Sequence, residues 1–312
     1  MSAVLNTVED THIPVLRDAV IAALAIQPSG RYLDGTFGRG GHAREILQRL
    51  ASTGHLLVMD KDPAAIAVAK AMFADDARVR IYHGSFADMA DWPETAGGID
   101  GVFLDLGVSS PQLDQAERGF SFMKDGPLDM RMNPERGQSA SAWLAVAEER
   151  EIATVLWTYG EEKASRRIAR AIVAAREQAP ITTTLALVDV IVAAIGRGVP
   201  GKHAATRSFQ AIRMQVNREL PDLERGLEAS AKVLKPGGRL VVISFHSLED
   251  RQVKRFMRGD DAQAPVRRNL PPAPVIAKRW RVLMVPKLAD AAESARNRRA
   301  RSAVLRVAER LP

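Results

Sequence analysis

The stretch Tyr32-Leu-Asp-Gly-Thr-Phe-Gly-Arg-Gly-Gly-His42 constrains this chain more than any other. A short apolar run ends in an acid, passes through a glycine-rich turn and enters Ala43-Arg-Glu-Ile-Leu47, which has helix composition. That order predicts a strand, a tight loop and a helix N-terminus. Glycines let a bound molecule approach the backbone, and free N–H groups at a helix start favour a polar or anionic ligand.

The pattern repeats downstream. His55–Asp60 is an apolar run closed by an acid, as a buried parallel strand should be, and Pro63 stands where a first helical residue would sit. Val79–Tyr82 and Gly98–Asp105 supply strands three and four. Such alternation implies an α/β, doubly wound sheet with its ligand beyond the carboxyl ends of the strands. The next strand, Arg239–Phe245, follows the turn Lys235-Pro-Gly-Gly238 after about 130 residues, where a crossover needs only a dozen or so. Something is therefore inserted. Residues 139–198 are alanine-rich with helical periodicity, including a helix over Glu161–Glu177 with Arg166, Arg167 and Arg170 on one side and a more buried one over Thr184–Ile195. The expected organisation is a discontinuous sheet domain, 1–112 and 206–312, with a small helical domain at 113–205.

A helix over Thr206–Leu220 sets an apolar stripe (Phe209, Ile212, Val216, Leu220) beside a polar one (Gln210, Arg213, Asn217), which suggests a wall facing a cleft. A proline-rich basic loop covers 265–281, and Val282–Val285 and Ser302–Val307 suit the last two strands, with a basic cluster at 295–301 between them.

Composition narrows the class. The 312 residues are 46% hydrophobic, yet no apolar run approaches the roughly 20 residues of a membrane span. The first ten residues lack the basic flank and apolar core of a signal peptide. Without cysteine, disulfides and thiolate metal sites are excluded and a cytoplasmic location fits. The six histidines lack metal-ligand spacing, so no metal is expected. A net charge of +7 leaves room for an anionic partner such as nucleic acid.

Gly38-x-Gly40-x-x-Ala43 also fits a dinucleotide fingerprint, and Asp60, 20 residues after Gly40, can accept hydrogen bonds from a ribose diol. NAD and S-adenosylmethionine both satisfy these. Asp34 favours the second, because an acid there would repel a pyrophosphate and suits the ammonium of a methionine moiety. After strand four comes Leu104-Asp-Leu-Gly-Val-Ser-Ser-Pro-Gln112, a polar–proline loop at the position where amine methyltransferases hold their acceptor. An aryl amine is a poor nucleophile, its lone pair delocalised into the ring. Oxygens that accept its two protons orient that lone pair, and positioning does most of the rest. No strong base is needed, since the attacked nitrogen becomes acidic. Ser109, Ser110 and Pro111 are the candidates. In Ser244-Phe-His-Ser-Leu-Glu-Asp-Arg251, Ser247 with Asp250 resembles a capping box, and His246 sits at the sheet edge near a substrate.

These stretches resemble the bacterial small-subunit ribosomal RNA cytosine-N4 methyltransferases. The resemblance runs from His12-Ile-Pro-Val-Leu16 through 34–42, 59–63, 83–86, 104–114, 118–123, 126–132 and 205–213 to 244–251. It implies a Rossmann-like class I S-adenosylmethionine-dependent methyltransferase sheet with an inserted helical domain. It implies N4-methylation of a cytidine in the decoding region of 16S rRNA, within the small ribosomal subunit. Carried over position by position, the donor contacts are Gly40, Gly41, His42, Asp60, Phe86, Asp105 and Gln112. With the residues read above, the candidate site is Asp105, Ser109, Pro111 and His246 for chemistry, and Asp34, Gly38, Gly40, Gly41, His42, Asp60, Phe86, Asp105 and Gln112 for the donor. The alternatives are a DNA amino-methyltransferase, a non-catalytic S-adenosylmethionine-binding assembly factor and, more distantly, a dehydrogenase. A homodimer stays open.

Overall fold

The computed structural model describes residues 14–199, 202–259, 278–284 and 287–312. The first half lays down α1 (Arg17–Leu24), β1 (Arg31–Asp34), α2 (Gly41–Leu47), β2 (His55–Asp60), α3 (Pro63–Met72), β3 (Val79–His83), β4 (Ile99–Asp105) and α4 (Ser110–Asp114). The insertion follows as α5 (Ala140–Val146), α6 (Glu149–Gly160), α7 (Ser165–Gln178) and α8 (Thr184–Ile195), then a two-residue hairpin, β5 (Gly198–Val199) with β6 (Lys202–His203). α9 (Thr206–Asn217) and α10 (Glu219–Val233) return the chain to the sheet through β7 (Leu234–Ser244), α11 (Ser247–Arg258), β8 (Trp280–Val282), β9 (Lys287–Leu288), α12 (Ala291–Arg296) and β10 (Val304–Arg310).

The sheet order is β3-β2-β1-β4-β7-β10-β8, with β9 also on β10. The pairs from β3 to β7 are parallel, and β10 runs antiparallel to β7 with Val307 opposite Val241. The strand order therefore reverses between β1 and β4, which opens the crevice that a doubly wound sheet uses for a ligand. Side chains alternate as a two-sided sheet requires. Phe103, Val241 and Ile243 pack into the core under α1–α3, while Val102, Leu104, Leu240 and Val242 pack with Leu223 and Leu227 of α10. Lys235-Pro-Gly-Gly238, expected as a turn before the strand, lies inside β7, where the register against β4 slips between Ile99 and Gly101.

A third core belongs to the insertion: Leu144, Ile152, Leu156, Ile168, Ile172, Leu187 and Ile191 are fully or almost fully buried together. Phe209, Ala211 and Ile212 join it, so α9 packs with the inserted helices although the sequence reading put 206 onward with the sheet. The helix expected to run to Leu220 stops at Asn217. Arg218 takes a left-handed backbone (φ 54°), a new helix starts at Glu219, and its Leu220 faces the sheet core. The helix expected from Glu161 starts at Ser165, because Glu161 is the left-handed cap of α6. Of the loop expected at 265–281, residues up to 277 lie outside the described residues, as do the His12-Ile13 end of the first motif and Val285, while Trp280 and Arg281 belong to strand β8, paired with β10.

Asn217 ties the insertion to the corner. Its carbonyl accepts from the Met132 N–H (2.7 Å), and its amide donates to the carbonyls of Met130 (2.7 Å) and Arg213 (2.9 Å). Met130 needs that hold, being a buried non-glycine residue at φ 63°. Asn217→Ala should cost about 1–3 kcal/mol, since it strands buried backbone groups. Urea unfolding tests this, and a loss near zero would show the corner to be held elsewhere.

Candidate active site

The carboxyl ends of β1, β2 and β4 open into one cavity of about 420 Å3, within the ~300–1,000 Å3 usual for small-molecule sites. Gly38, Gly41, His42, Asp60, Phe86, Asp105, Ser109, Gln112 and His246 all line it. So residues from five separate stretches of sequence meet in one place. Gly40, Asp34 and Pro111 do not border it.

Asp60 organises one end. Its Oδ2 accepts from the Gly38 N–H and its Oδ1 from the Asp62 N–H, both at 2.8 Å. Gly38 and Gly40 sit at φ 55° and 76°, and a side chain at Gly40 would run into the Phe37 ring. This is why the turn takes glycine. Each Asp60 oxygen keeps a further lone pair for a ribose hydroxyl. Phe86 stands next to this end on a short 3-10 helix, backed by Gly226 of α10, where a Cβ would lie 2.3 Å from the ring. The ring presents an apolar face to the cavity, as an adenine requires.

The acids divide differently from the sequence reading. Asp34, expected against the ammonium, is 1% exposed under the loop and accepts from the Thr36 N–H at 3.0 Å. The acid at the cavity wall is Asp105. Its backbone N–H donates to Thr36 Oγ1 (2.6 Å), and its buried Oδ1 has no partner. An orphaned buried carboxylate oxygen at a cavity wall is a place for a cationic ligand group. The cavity residues therefore fit S-adenosylmethionine: Asp60 for the ribose, Phe86 for the base and Asp105 for the ammonium.

His42 is buried on the Phe103 ring, with centroids 4.6 Å apart. Its Nε2 lies 3.1 Å from the Val15 carbonyl, and its Nδ1 lies 3.9 Å from Asp105 Oδ2. Burial pushes its pKa down to about 4. The neutral ring then donates from Nε2 to Val15, leaving Nδ1 as an acceptor towards Asp105.

The acceptor loop is held from below. Ser109 caps α4, and Gln112 Oε1 accepts from the Ser109 N–H at 2.9 Å in a capping box. Gln112 is buried, and its Nε2 donates to Asp62 Oδ2 (2.8 Å). This residue, expected at the donor, thus also fastens the loop to the end of β2. The same carboxylate takes Arg118 Nη1 at 2.9 Å, and Arg118 Nη2 donates to the Met132 carbonyl at 2.9 Å. Pro111, read as a chemical residue, lies in the first turn of α4, where its fixed φ sets the loop's exit.

The far wall is a group of buried charges. Arg213 Nε and Nη2 both donate to Glu219 at 2.7 Å, and Nη2 lies 3.4 Å from His246 Nε2. Burial and then Arg213 hold His246 down near 4, so it is neutral at pH 7. The capping box of α11 is His246 with Glu249, one residue before the pair expected from the sequence. Glu249 accepts from the Phe245 and His246 N–H groups at 3.0 and 3.1 Å. Of the polar stripe on α9, Arg213 faces the cavity, while Gln210 and Asn217 are bonded to backbone carbonyls.

Sequence reasoning passed over Lys61, Asp62, Arg118, Glu219 and Asp222. Lys61 Nζ pairs with Asp222 Oδ2 at 2.5 Å and donates to the Asn217 carbonyl at 3.0 Å. Only Asp62 left a local trace, as the Asp-Pro start of α3, which it caps through the Ala64 N–H. Lys61, Arg118 and Asp222 act on partners dozens of residues away, and Glu219 acts on Arg213 across the break between α9 and α10.

Burial pushes the acids at and beneath the cavity up: Asp60 to about 6, Asp34 and Glu249 to about 7 and Asp105 to about 8. Asp34 and Glu249 add to the shift of Asp105. In the fold these acids keep protons that the unfolded chain loses near pH 4, so their contribution to stability falls as pH rises through that window. The two histidines work the other way, but only between about 4 and 6.5. Above 6.5 the acids alone act. The melting temperature of the ligand-free protein should therefore fall from pH 6.5 to 8, and Asp105→Asn should flatten the upper part of that fall. A rising melting temperature over this range would contradict a protonated Asp105.

Comparison with known proteins agrees with the geometry. The MraW methylase family model matches residues 9–311. A Stenotrophomonas maltophilia (strain R551-3) protein named ribosomal RNA small subunit methyltransferase H is 58% identical over 299 residues, covering 96% of this chain and 93% of its own length. A protein of the same name from Xanthomonas euvesicatoria pv. vesicatoria is 59% identical over 300 residues, covering 96% of this chain and 89% of its own. The family implied by the motifs is the one found: the chain belongs to the MraW methylase family, with S-adenosylmethionine as methyl donor.

Proposed function

We propose that this protein methylates the N4 amine of a cytidine in the decoding region of 16S rRNA, in the cytoplasm and within the small ribosomal subunit. One observation carries the reading: the Leu106–Ser110 loop and the Gly38–Asp60 end line the same cavity. Donor and amine holder thus share one space. The relatives' names supply the RNA class, and the motif resemblance supplies the nucleotide and the atom.

Bound S-adenosylmethionine supplies an electrophilic methyl on a sulfonium. The protein's residues do the positioning. Asp60 and Phe86 hold the nucleoside end, and Asp105 with its unpartnered oxygen holds the cationic end. Ser109 Oγ and the loop carbonyls accept hydrogen bonds from the two amine N–H groups, which turns the nitrogen lone pair out of conjugation, and after methyl transfer the now acidic nitrogen loses one proton to water. Gln112 and Arg118, both tied to Asp62, keep that loop in register with the donor end. His246, neutral beside Arg213, stands at the far wall as a hydrogen-bonding group for the acceptor base. The inserted helices lie on the side from which the RNA enters.

Asp60→Ala should weaken donor binding by about 1–3 kcal/mol through lost hydrogen bonds to a charged group; unchanged calorimetric binding would remove Asp60 from the ribose. Labelled methyl should pass from S-adenosylmethionine to small subunits lacking the modification, and mass spectrometry of the rRNA should find it on a cytidine N4. Ser109→Ala should lower turnover while donor affinity is kept. Failure of both naked rRNA and unmodified subunits to accept methyl, with donor bound, would refute the function.

A further inference from the structure

Two helices that leave the cavity wall each send an arginine to the same surface residue. α9 carries Arg213 in the cavity and Arg207 six residues earlier, about 9 Å along the axis. α11 starts beside the cavity residue His246 and carries Arg251 one turn on. Both arginines reach Glu161 at the end of α6. Arg207 Nη1 donates to its carbonyl at 3.3 Å, and Arg251 Nη2 lies 3.8 Å from its carboxylate. α6 and α9 are held close there, since a Cβ on Gly160 would lie 2.6 Å from the Arg207 carbonyl oxygen.

One turn before Glu161, on the same side of α6, stands Trp157. It is 58% exposed, whereas Trp92, Trp143 and Trp280 are 8, 7 and 4% exposed. A large aromatic ring thus stands in water one helical turn from the residue that gathers two arginines. It is what a single-stranded nucleic acid needs, with rings for bases and cations for phosphates. Exposed Arg166 and Arg167, at the start of α7 just past Glu161, continue the positive rim. The Arg251–Glu161 pair is over half exposed on both sides, so it is weak and an incoming phosphate can replace it.

We propose that Trp157, Arg207 and Arg251 form a docking surface for the single-stranded RNA flanking the target nucleotide, one base stacking on Trp157 while Arg207 and Arg251 hold the backbone leading to the cavity. This rests on the rRNA reading above and adds to it the path that the strand takes.

The test uses the full chain and a single-stranded RNA of mixed sequence. Titration should quench tryptophan emission, and Trp157→Phe should remove the quench while binding persists. Trp157→Ala should weaken RNA binding roughly 5- to 150-fold, the worth of one stacked base. Arg207→Gln and Arg251→Gln should each lower the slope of log affinity against log salt by about 0.7. Donor binding by calorimetry should not change in any of them. The proposal is overturned if wild-type protein shows no quench, if the quench survives in Trp157→Phe, if the two arginine variants leave the salt slope intact, or if RNA duplex binds as tightly as the single strand. A wild-type protein that shows these binding effects yet methylates no rRNA would refute the functional reading and leave the surface standing. One that methylates subunits, with an unchanged KM when all three residues are replaced, would refute the surface alone.

Discussion

The site depends on the carboxylate of Asp60. One oxygen holds the glycine loop through Gly38 and the other holds the chain after β2 through Asp62. From there the bonds continue. Asp62 takes Gln112 and Arg118, Arg118 takes the Met132 carbonyl, and Asn217 takes the Met132 N–H. A single connected path thus runs from the donor end, through the acceptor loop, to the corner where the inserted helices rejoin the sheet. Because each member is buried or half-buried, a lost partner strands a polar group, which makes the path stiff.

In and behind the same cavity wall the fold gathers acids whose ionised forms burial and mutual repulsion disfavour. Asp34, Asp60, Asp105 and Glu249 lie close enough that Asp34 and Glu249 raise Asp105 and that Asp60 raises Asp34. Such a cluster is unfavourable in the empty protein and is relieved by a cation. A donor carrying a sulfonium and an ammonium therefore binds where the protein is least content without it. Positive charge is placed elsewhere: Arg213 is neutralised by Glu219 inside, while Arg207, Arg251, Arg166 and Arg167 stay at the rim.

Much of this was legible in the chain. The Thr184–Ile195 helix and the Arg31–Asp34 and His55–Asp60 strands follow the boundaries that their apolar runs imply, because each is set by its own composition. The helix drawn to Leu220 was not legible, since apolar spacing continues past Asn217 and only the left-handed Arg218 breaks it. Asp34 and Asp105 look alike in sequence, each an acid ending a strand. One turns under the loop to Thr36 and the other borders the cavity, a difference made by packing. Pro111, read from its motif as a chemical residue, sits in the first turn of a helix, a placement that follows from its fixed φ.

By itself the sequence determined the strand–loop–helix order, the doubly wound sheet, the glycine turn, the presence of an insertion and the family. All are written in local patterns of a few to a dozen residues. The tertiary structure alone decided which acid meets the cavity, that Gln112 and Arg118 converge on Asp62, that α9 belongs to the insertion's core, and that Arg207 and Arg251 both reach Glu161. Those outcomes are contacts between groups far apart in the chain. Their geometry exists only once the helices have packed and burial has fixed each charge in place.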